Sequence, residues 1–310
     1  MRLIYLGTPQ FAVPTLEAIL REGHEVVEVI TQPDRPKGRG KTLAMPPVKV
    51  CATAHGIPVY QPERIRRPEV LEHLRGLAPE IMVVVGYGQI IPQAVIEIAP
   101  RGILNVHGSL LPKLRGAAPV QWAIVLGDLE TGVTTMQIDA GLDTGDMLLS
   151  ESTSIGENED AVALGERLSH MGASLLVETL SGLQSEAIVP RKQDNTVATY
   201  APILKKQDGR IDWNATAQEI HNRIRGMQPW PGAHSTFRGQ LFQIWLSHKV
   251  DSGSGALPGR LLFNRDGLFA GCGDGRLLKL IEVQQEGRKR MSAEDFARGQ
   301  RVSETDRLGD

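Results

Sequence analysis

The feature that most constrains this chain is an alternation in its first half. Short, continuous Ile/Val/Leu runs at Leu3 to Leu6, Val26 to Thr31, Ile81 to Val85 and Gly102 to Val106 are separated by helical patterns near Leu16 to Arg21, Val48 to Ala54, Pro68 to Leu74 and Gln93 to Ile98. An apolar run without polar alternation is a strand buried on both faces, and strands that alternate with helices build a parallel sheet covered on both sides. The expectation is therefore an α/β fold, with a Rossmann-like, mostly parallel sheet and helices on both faces. Met136 to Ile138 and Met147 to Ser150 read as later strands around a glycine-rich turn, and Ala161 to Leu183 as a long helix.

The texture changes near residue 188. Residues 190–208 are polar and aperiodic and read as a linker between a first domain, 1–189, and a second, 209–310. After a short helix at Ile220 to Ile224 come five short β-like runs between turn residues: Ser235 to Arg238, Leu241 to Trp245, Arg260 to Phe263, Leu268 to Gly271 and Leu277 to Val283. That spacing suggests a small OB-like β-barrel. A length of 310 residues suits two such domains.

Bulk properties exclude more than they assign. A net charge of -2 gives no whole-chain attraction to nucleic acid, although a local basic patch can act within a neutral total. Cys51 and Cys272 stand far apart with no CxxC or Cys/His zinc pattern, which fits free thiols in a reducing cytoplasm. The stretch Met1 to Leu6 runs directly into a strand rather than forming a signal peptide, and no apolar run reaches the roughly 18 residues of a membrane helix. The expectation is a cytoplasmic protein without a membrane partner.

Two segments carry chemistry. In Asn105-Val106-His107-Gly108-Ser109-Leu110-Leu111-Pro112, Asn105 and His107 follow the apolar run that ends at Leu104. Period-two alternation puts both on one face at the C-terminal end of a strand, where open α/β sheets place their ligand crevice. An amide beside an imidazole can bind a carbonyl and stabilise the oxyanion formed on attack. In Asp139-Ala140-Gly141-Leu142-Asp143-Thr144-Gly145-Asp146, two glycines make a tight loop whose carboxylate could orient the imidazole and favour its charged form. Each signal has a plainer alternative. A histidine at a strand end is more often structural, and Asn105 and Asp143 could serve as turn residues. The three aspartates lack the closing glutamate of an EF-hand, and the chemistry needs no metal. Gly7-Thr8-Pro9 is not a GxGxxG, so a dinucleotide reading is weak.

Together these motifs resemble the folate-dependent formyltransferases. Asn105 to Pro112 with Arg115-Gly116-Ala117-Ala118-Pro119 is similar to that family's signature, and Gly141 to Asp146 to its second one. The resemblance places a catalytic trio on Asn105, His107 and Asp143, and implies that Asp143 holds the tautomer of His107. It implies 10-formyltetrahydrofolate as donor, lying over Gly86, Tyr87, Gly88 and Ile90 after one strand and Ser109, Leu110, Leu111 and Pro112 after another. The segment Thr31 to Lys41, with Gly7 to Ala12 and Pro229 to Ala233, resembles the branch of the family that acts on aminoacyl-tRNA. There a basic loop, here Arg35, Lys37, Arg39 and Lys41, reaches the acceptor end of the RNA, and the α-amino group of initiator Met-tRNA takes the formyl group. Gln228 stands where that branch leads us to expect Asn.

The residues agree with this implication without requiring it. Alternation of the four cations with Pro and Gly suits a surface loop, and beside an active site it suits a phosphate-contacting arm. Arg288, Lys289 and Arg290 form a second basic cluster in the β-module, whose plainer alternative is a solvated turn. The expected assembly is a monomer. Rival readings are a formyltransferase for an amino-sugar nucleotide or a glycinamide ribonucleotide, and a non-catalytic RNA-binding protein. A serine hydrolase on Ser109 lacks the GxSxG elbow.

Overall fold

The structure is a computed structural model that describes residues 1–37, 42–253, 255–303 and 305–309. The chain forms two compact units. The first comprises residues 1–116, 131–153 and 165–200, and the second 117–130, 154–164 and 201–310.

The first unit holds β1 (Arg2–Gly7), α1 (Val13–Arg21), β2 (Glu25–Ile30), β3 (Arg35–Lys37), β4 (Thr42–Ala44), α2 (Pro47–Ala54), β5 (Val59–Tyr60), α3 (Pro68–Gly76), β6 (Ile81–Val85), α4 (Gln93–Ile96), β7 (Ile103–His107) and β8 (Arg115–Gly116). After α5 (Pro119–Leu126), which lies in the second unit, follow β9 (Glu130–Gln137), β10 (Met147–Ser154) and α6 (Ala161–Gln184), most of which belongs to the first unit. The main sheet has the order β10-β9-β7-β6-β1-β2-β5. Its β5, β2, β1, β6 and β7 run parallel, as the continuous apolar runs predict, while β9 joins β7 antiparallel. The strand order reverses between β1 and β6, and the crevice of such a sheet opens at the C-terminal ends of these strands.

Both faces of the sheet are buried. Leu3, Tyr5, Val83, Val85, Leu104 and Val106 form one core with Leu16, Ile19, Val48, Leu176 and Leu180. Ile4, Leu6, Met82, Val84 and Ile103 form the other with Val70, Leu74 and Val95. This division pins the register of β7, because a slip of one residue would carry Leu104 and Val106 to the wrong side. Asn105 and His107 are thereby committed to the second face.

Proline stands in the first turn of α1, α2, α3 and α5, where its missing N–H costs nothing and its fixed φ suits a helix. Sequence periodicity does not reveal α5, since Pro119-Val-Gln-Trp-Ala-Ile-Val-Leu126 is apolar on all sides and carries no helical stripe. The helix packs against α7 (Ala217–Gly226) within the second unit.

After β11 (Tyr200–Ala201), the later elements of the second unit are β12 (His234–Phe237), β13 (Gln240–Gly253), β14 (Leu261–Asn264), β15 (Gly267–Gly271), β16 (Arg276–Gln285), β17 (Met291–Ser292) and α8 (Ala293–Gln300). Six strands make one antiparallel sheet in the order β12-β13-β16-β15-β14, with β17 also on β16. Phe237, Phe242 and Phe296 meet at centroid distances of 4.7 to 6.0 Å in its core, beside Ile220, Ile224, Leu280 and Val283. Reciprocal bonds between Thr216 and Glu219 cap α7, and Ser292 caps α8. No helix among the described residues is long and apolar enough to cross a membrane.

Candidate active site

At the end of β7, the side chains of Asn105 and His107 stand on the face whose apolar core ends just below them. Asn105 is 9% exposed and His107 5% exposed. Burial of an imidazole requires partners for its nitrogens. Nε2 of His107 lies 2.9 Å from the carbonyl oxygen of Leu114. A carbonyl only accepts, so Nε2 carries a proton and Nδ1 is the nitrogen left for chemistry. Nδ1 in turn lies 3.8 Å from Oδ2 of Asp143. That is ion-pair range, too long for a good hydrogen bond. The expectation that Asp143 sets the tautomer is corrected: Leu114 sets it, because its carbonyl is the close acceptor. Among the described residues the amide of Asn105 makes no hydrogen bond and is left for a ligand.

Asp143 reaches the imidazole from the loop between β9 and β10. Its backbone is left-handed, φ 51°, a conformation that Asp tolerates better than most residues. Its Oδ2 accepts the backbone N–H of Gly116 at 2.8 Å. The loop closes tightly, since a Cβ on Gly145 would lie 1.9 Å from the backbone oxygen of Gln137. Asp139 is occupied within the loop, where its Oδ1 accepts from the Gly141 N–H and the Thr144 hydroxyl.

Several residues that hold this arrangement were given no role in it by the sequence. Thr134 on β9 donates to the Ser109 carbonyl and accepts the N–H of Leu111, fixing the turn after β7. Arg115, only 2% exposed, donates to Oε1 of Gln193 and to Oδ1 of Asn195. Gln193 donates to the carbonyls of Asp143 and Gly145. These are contacts between distant loops, invisible to periodicity.

The other expected positions divide. Ser109 and Leu111 are buried, and the Ser109 hydroxyl donates to the Lys113 carbonyl, so it is committed to the turn; Leu110 and Pro112 are partly exposed. The Tyr87 ring lies in the core beneath the sheet, and burial pushes its phenol well above the usual range. The Tyr87 carbonyl accepts from Thr8 Oγ1 and Gln32 Nε2. Gly86, Gly88 and Ile90 face outward, Ile90 at 92% exposure. Gly86 is left-handed, φ 56°, at the point where the chain turns past Pro9.

Of the first basic segment, Arg35 is exposed and pairs with Ala44 across a β3–β4 ribbon that also includes the backbone of Lys37; Arg39 and Lys41 lie outside the described residues. Its first three residues, Arg35–Lys37, are therefore paired strand. Asp34 at its root binds Lys49 and Gln61, and the Gln61 and Lys49 bonds hold its carboxyl below the usual range. Arg288, Lys289 and Arg290 are exposed, but Arg290 stacks 4.3 Å over the Trp245 ring and pairs with Glu282 at 3.1 Å.

An unpaired amide, an imidazole with one free nitrogen and a carboxylate facing that nitrogen, at the mouth of a parallel sheet, are groups that can polarise a carbonyl and carry a proton, as acyl-type transfer requires. The chain belongs to the formyl transferase family: residues 1–180 match Formyl transferase, and residues 203–301 match Formyl transferase, C-terminal domain. It is a formyl-transferring enzyme. Among its relatives, the methionyl-tRNA formyltransferase of Solibacter usitatus (strain Ellin6076) is 62% identical over 310 residues, covering 100% of this chain and 99% of that one. The protein of that name from Citrifermentans bemidjiense is 51% identical, covering 100% and 96%. Of solved structures, an N-formyltransferase from Helicobacter canadensis in complex with folinic acid and dTDP-3-aminofucose shares the fold, with a TM-score of 0.68, 20% identity and coverage of 92% and 99%. HypX from Aquifex aeolicus in complex with tetrahydrofolic acid aligns at a TM-score of 0.64 with 15% identity, over 96% of this chain and 47% of that one.

Proposed function

We propose that this enzyme transfers the formyl group of 10-formyltetrahydrofolate to the α-amino group of methionine on initiator Met-tRNA. The observation that carries the reading is full-length likeness, at 62% identity, to a methionyl-tRNA formyltransferase, in a chain that places Asp143 3.8 Å from His107.

In the reaction the methionyl nitrogen attacks the formyl carbon, and negative charge builds on the formyl oxygen. The unpaired amide of Asn105 donates to that oxygen. His107 takes a proton at Nδ1, the only ring nitrogen that Leu114 does not occupy. The imidazolium so formed faces the Asp143 carboxylate across 3.8 Å, which stabilises it. When the bond between the formyl carbon and N10 breaks, the same proton returns to N10. The amine loses one proton and the leaving nitrogen gains one, so the balance closes.

The donor's flat ring would lie against the turn at Gly86 and Gly88, where no Cβ intrudes, and beside Leu110, Leu111 and Pro112. Of that turn, Tyr87 contributes backbone only, since its ring is in the core. Arg35, Lys37, Arg39 and Lys41, together with Arg288 and Lys289, would contact the RNA backbone, with residues 209–310 as the RNA-binding portion. Arg290 would act as a flat cation already oriented by Trp245.

The test is formyl transfer from 10-formyltetrahydrofolate with three acceptors: initiator Met-tRNA, elongator Met-tRNA and free methionine. Rapid formylation of the initiator species alone is expected. Transfer to a small amine with none to either tRNA would move the acceptor to another class.

A further inference from the structure

Residues 190–208 read in the sequence as a linker, yet residues 191–200 lie along both loops of the active site. Arg191 exchanges two backbone bonds with Met147, each 2.8 Å. The Thr199 hydroxyl accepts the N–H of Leu114 at 2.9 Å, and the Thr199 carbonyl accepts that of Arg115 at 2.9 Å. Between them, both amide hydrogens of Gln193 are used, one on the Asp143 carbonyl and one on that of Gly145, each at 2.8 Å. The Gln193 oxygen accepts twice from Arg115, at 3.0 and 2.8 Å.

Both brackets of His107 therefore hang on this strap. Leu114, the acceptor at Nε2, is left-handed at φ 58° and is held through Thr199. Asp143, the carboxylate at Nδ1, is left-handed at φ 51° and is held through Gln193. A residue kept in left-handed backbone stays there only when its surroundings over-determine it. The Gly116 N–H that fixes the Asp143 carboxylate adjoins Arg115, the residue that grips the Gln193 oxygen. Backbone and side chain of Asp143 are thus set by one buried unit.

We propose that Gln193 is a positioning residue for proton transfer at His107, acting through Asp143. The inference rests on the catalytic reading given above. Gln193 touches no reacting atom; it places the carboxylate that does.

Gln193→Glu separates this role from general stability. The variant keeps the acceptor oxygen for Arg115 and adds charge attraction to it, but replaces the nitrogen that donates both bonds with an oxygen that faces the same two carbonyls. The expected result is a fall in kcat of about 10- to 100-fold with the KM for the folate donor within about two-fold, since small displacements near the chemistry are costly. In an Asp143→Asn background the further loss is less than about three-fold, because the two residues act as one unit. Independently of turnover, the Gly116 amide exchanges with solvent at least about ten times faster in Gln193→Glu, with the urea midpoint of unfolding unchanged. A wild-type kcat in the single variant, losses that multiply in the double variant, or unaltered Gly116 exchange would each overturn the proposal. If the wild-type protein formylates no amine, the catalytic reading fails and the Gly116 exchange alone decides whether Gln193 positions Asp143.

Discussion

The Nε2 of His107 donates to the carbonyl oxygen of Leu114 across 2.9 Å. Because an acceptor that cannot donate occupies this nitrogen, the neutral ring is the Nε2–H tautomer and Nδ1 is the basic position. In a ¹⁵N-resolved NMR spectrum of the free enzyme with the His107 ring neutral, Nδ1 is expected at the unprotonated position and Nε2 at the protonated one. The reverse pattern would refute the proposed route of the proton.

Loss of either partner of the imidazole site should cripple turnover while leaving the fold. His107→Ala removes the proton carrier, and Asp143→Asn keeps an acceptor for the Gly116 N–H but removes the charge that faces Nδ1. Each is expected to lower kcat by about two orders of magnitude or more. Single-turnover formylation with saturating donor measures this directly, and near-normal rates in folded variants would reject the assignment.

A second histidine governs acid stability rather than chemistry. His221 in α7 is buried, with Nε2 on the Glu157 carbonyl at 3.2 Å and Nδ1 on the Ser247 hydroxyl at 3.0 Å. Burial is the main cause that pulls its pKa down from 6.5 to about 4. The unfolded chain therefore binds a proton below pH 6.5 that the native chain refuses until about pH 4. The stability that this site contributes is complete above the unfolded pKa and is lost as pH falls through that window. Between pH 7 and pH 5 the loss should be of the order of 2 kcal/mol. Urea unfolding at the two pH values, in wild type and His221→Gln, should show a smaller acid loss in the variant; equal losses would exclude His221 as the cause.

The basic segment should act on RNA and not on the donor. Arg39→Ala is expected to raise the KM for initiator Met-tRNA while leaving that for 10-formyltetrahydrofolate unchanged. If Arg39 neutralises one phosphate, the slope of log KM against log salt concentration falls by about 1. The same slope in wild type and variant would mean that Arg39 makes no phosphate contact.

Much of the sheet, and the face that carries Asn105 and His107, was legible in the sequence. The Ile/Val runs at β1, β2, β6 and β7 could only be doubly buried strands, and period-two alternation committed Asn105 and His107 to one face once Leu104 and Val106 were in the core. Local chemistry also marked the Asp143 loop, because a close turn such as the one at Gly145 leaves no room for a Cβ. The antiparallel placement of β9 and the helix α5 escaped, the first because strand direction is a property of the whole sheet, the second because a helix apolar on all sides shows no stripe.

What only the tertiary structure decided is what holds the imidazole. That Leu114 rather than Asp143 chooses the tautomer depends on a backbone carbonyl, which every residue possesses and no sequence pattern distinguishes. That an aperiodic linker supplies Gln193 depends on a side chain meeting Arg115 from 78 residues away. Periodicity reports which face of an element meets the core, since burial of apolar area drives that choice along every strand and helix. It is silent about loops, whose polar groups are satisfied one at a time by whatever partner the finished fold brings within hydrogen-bonding distance.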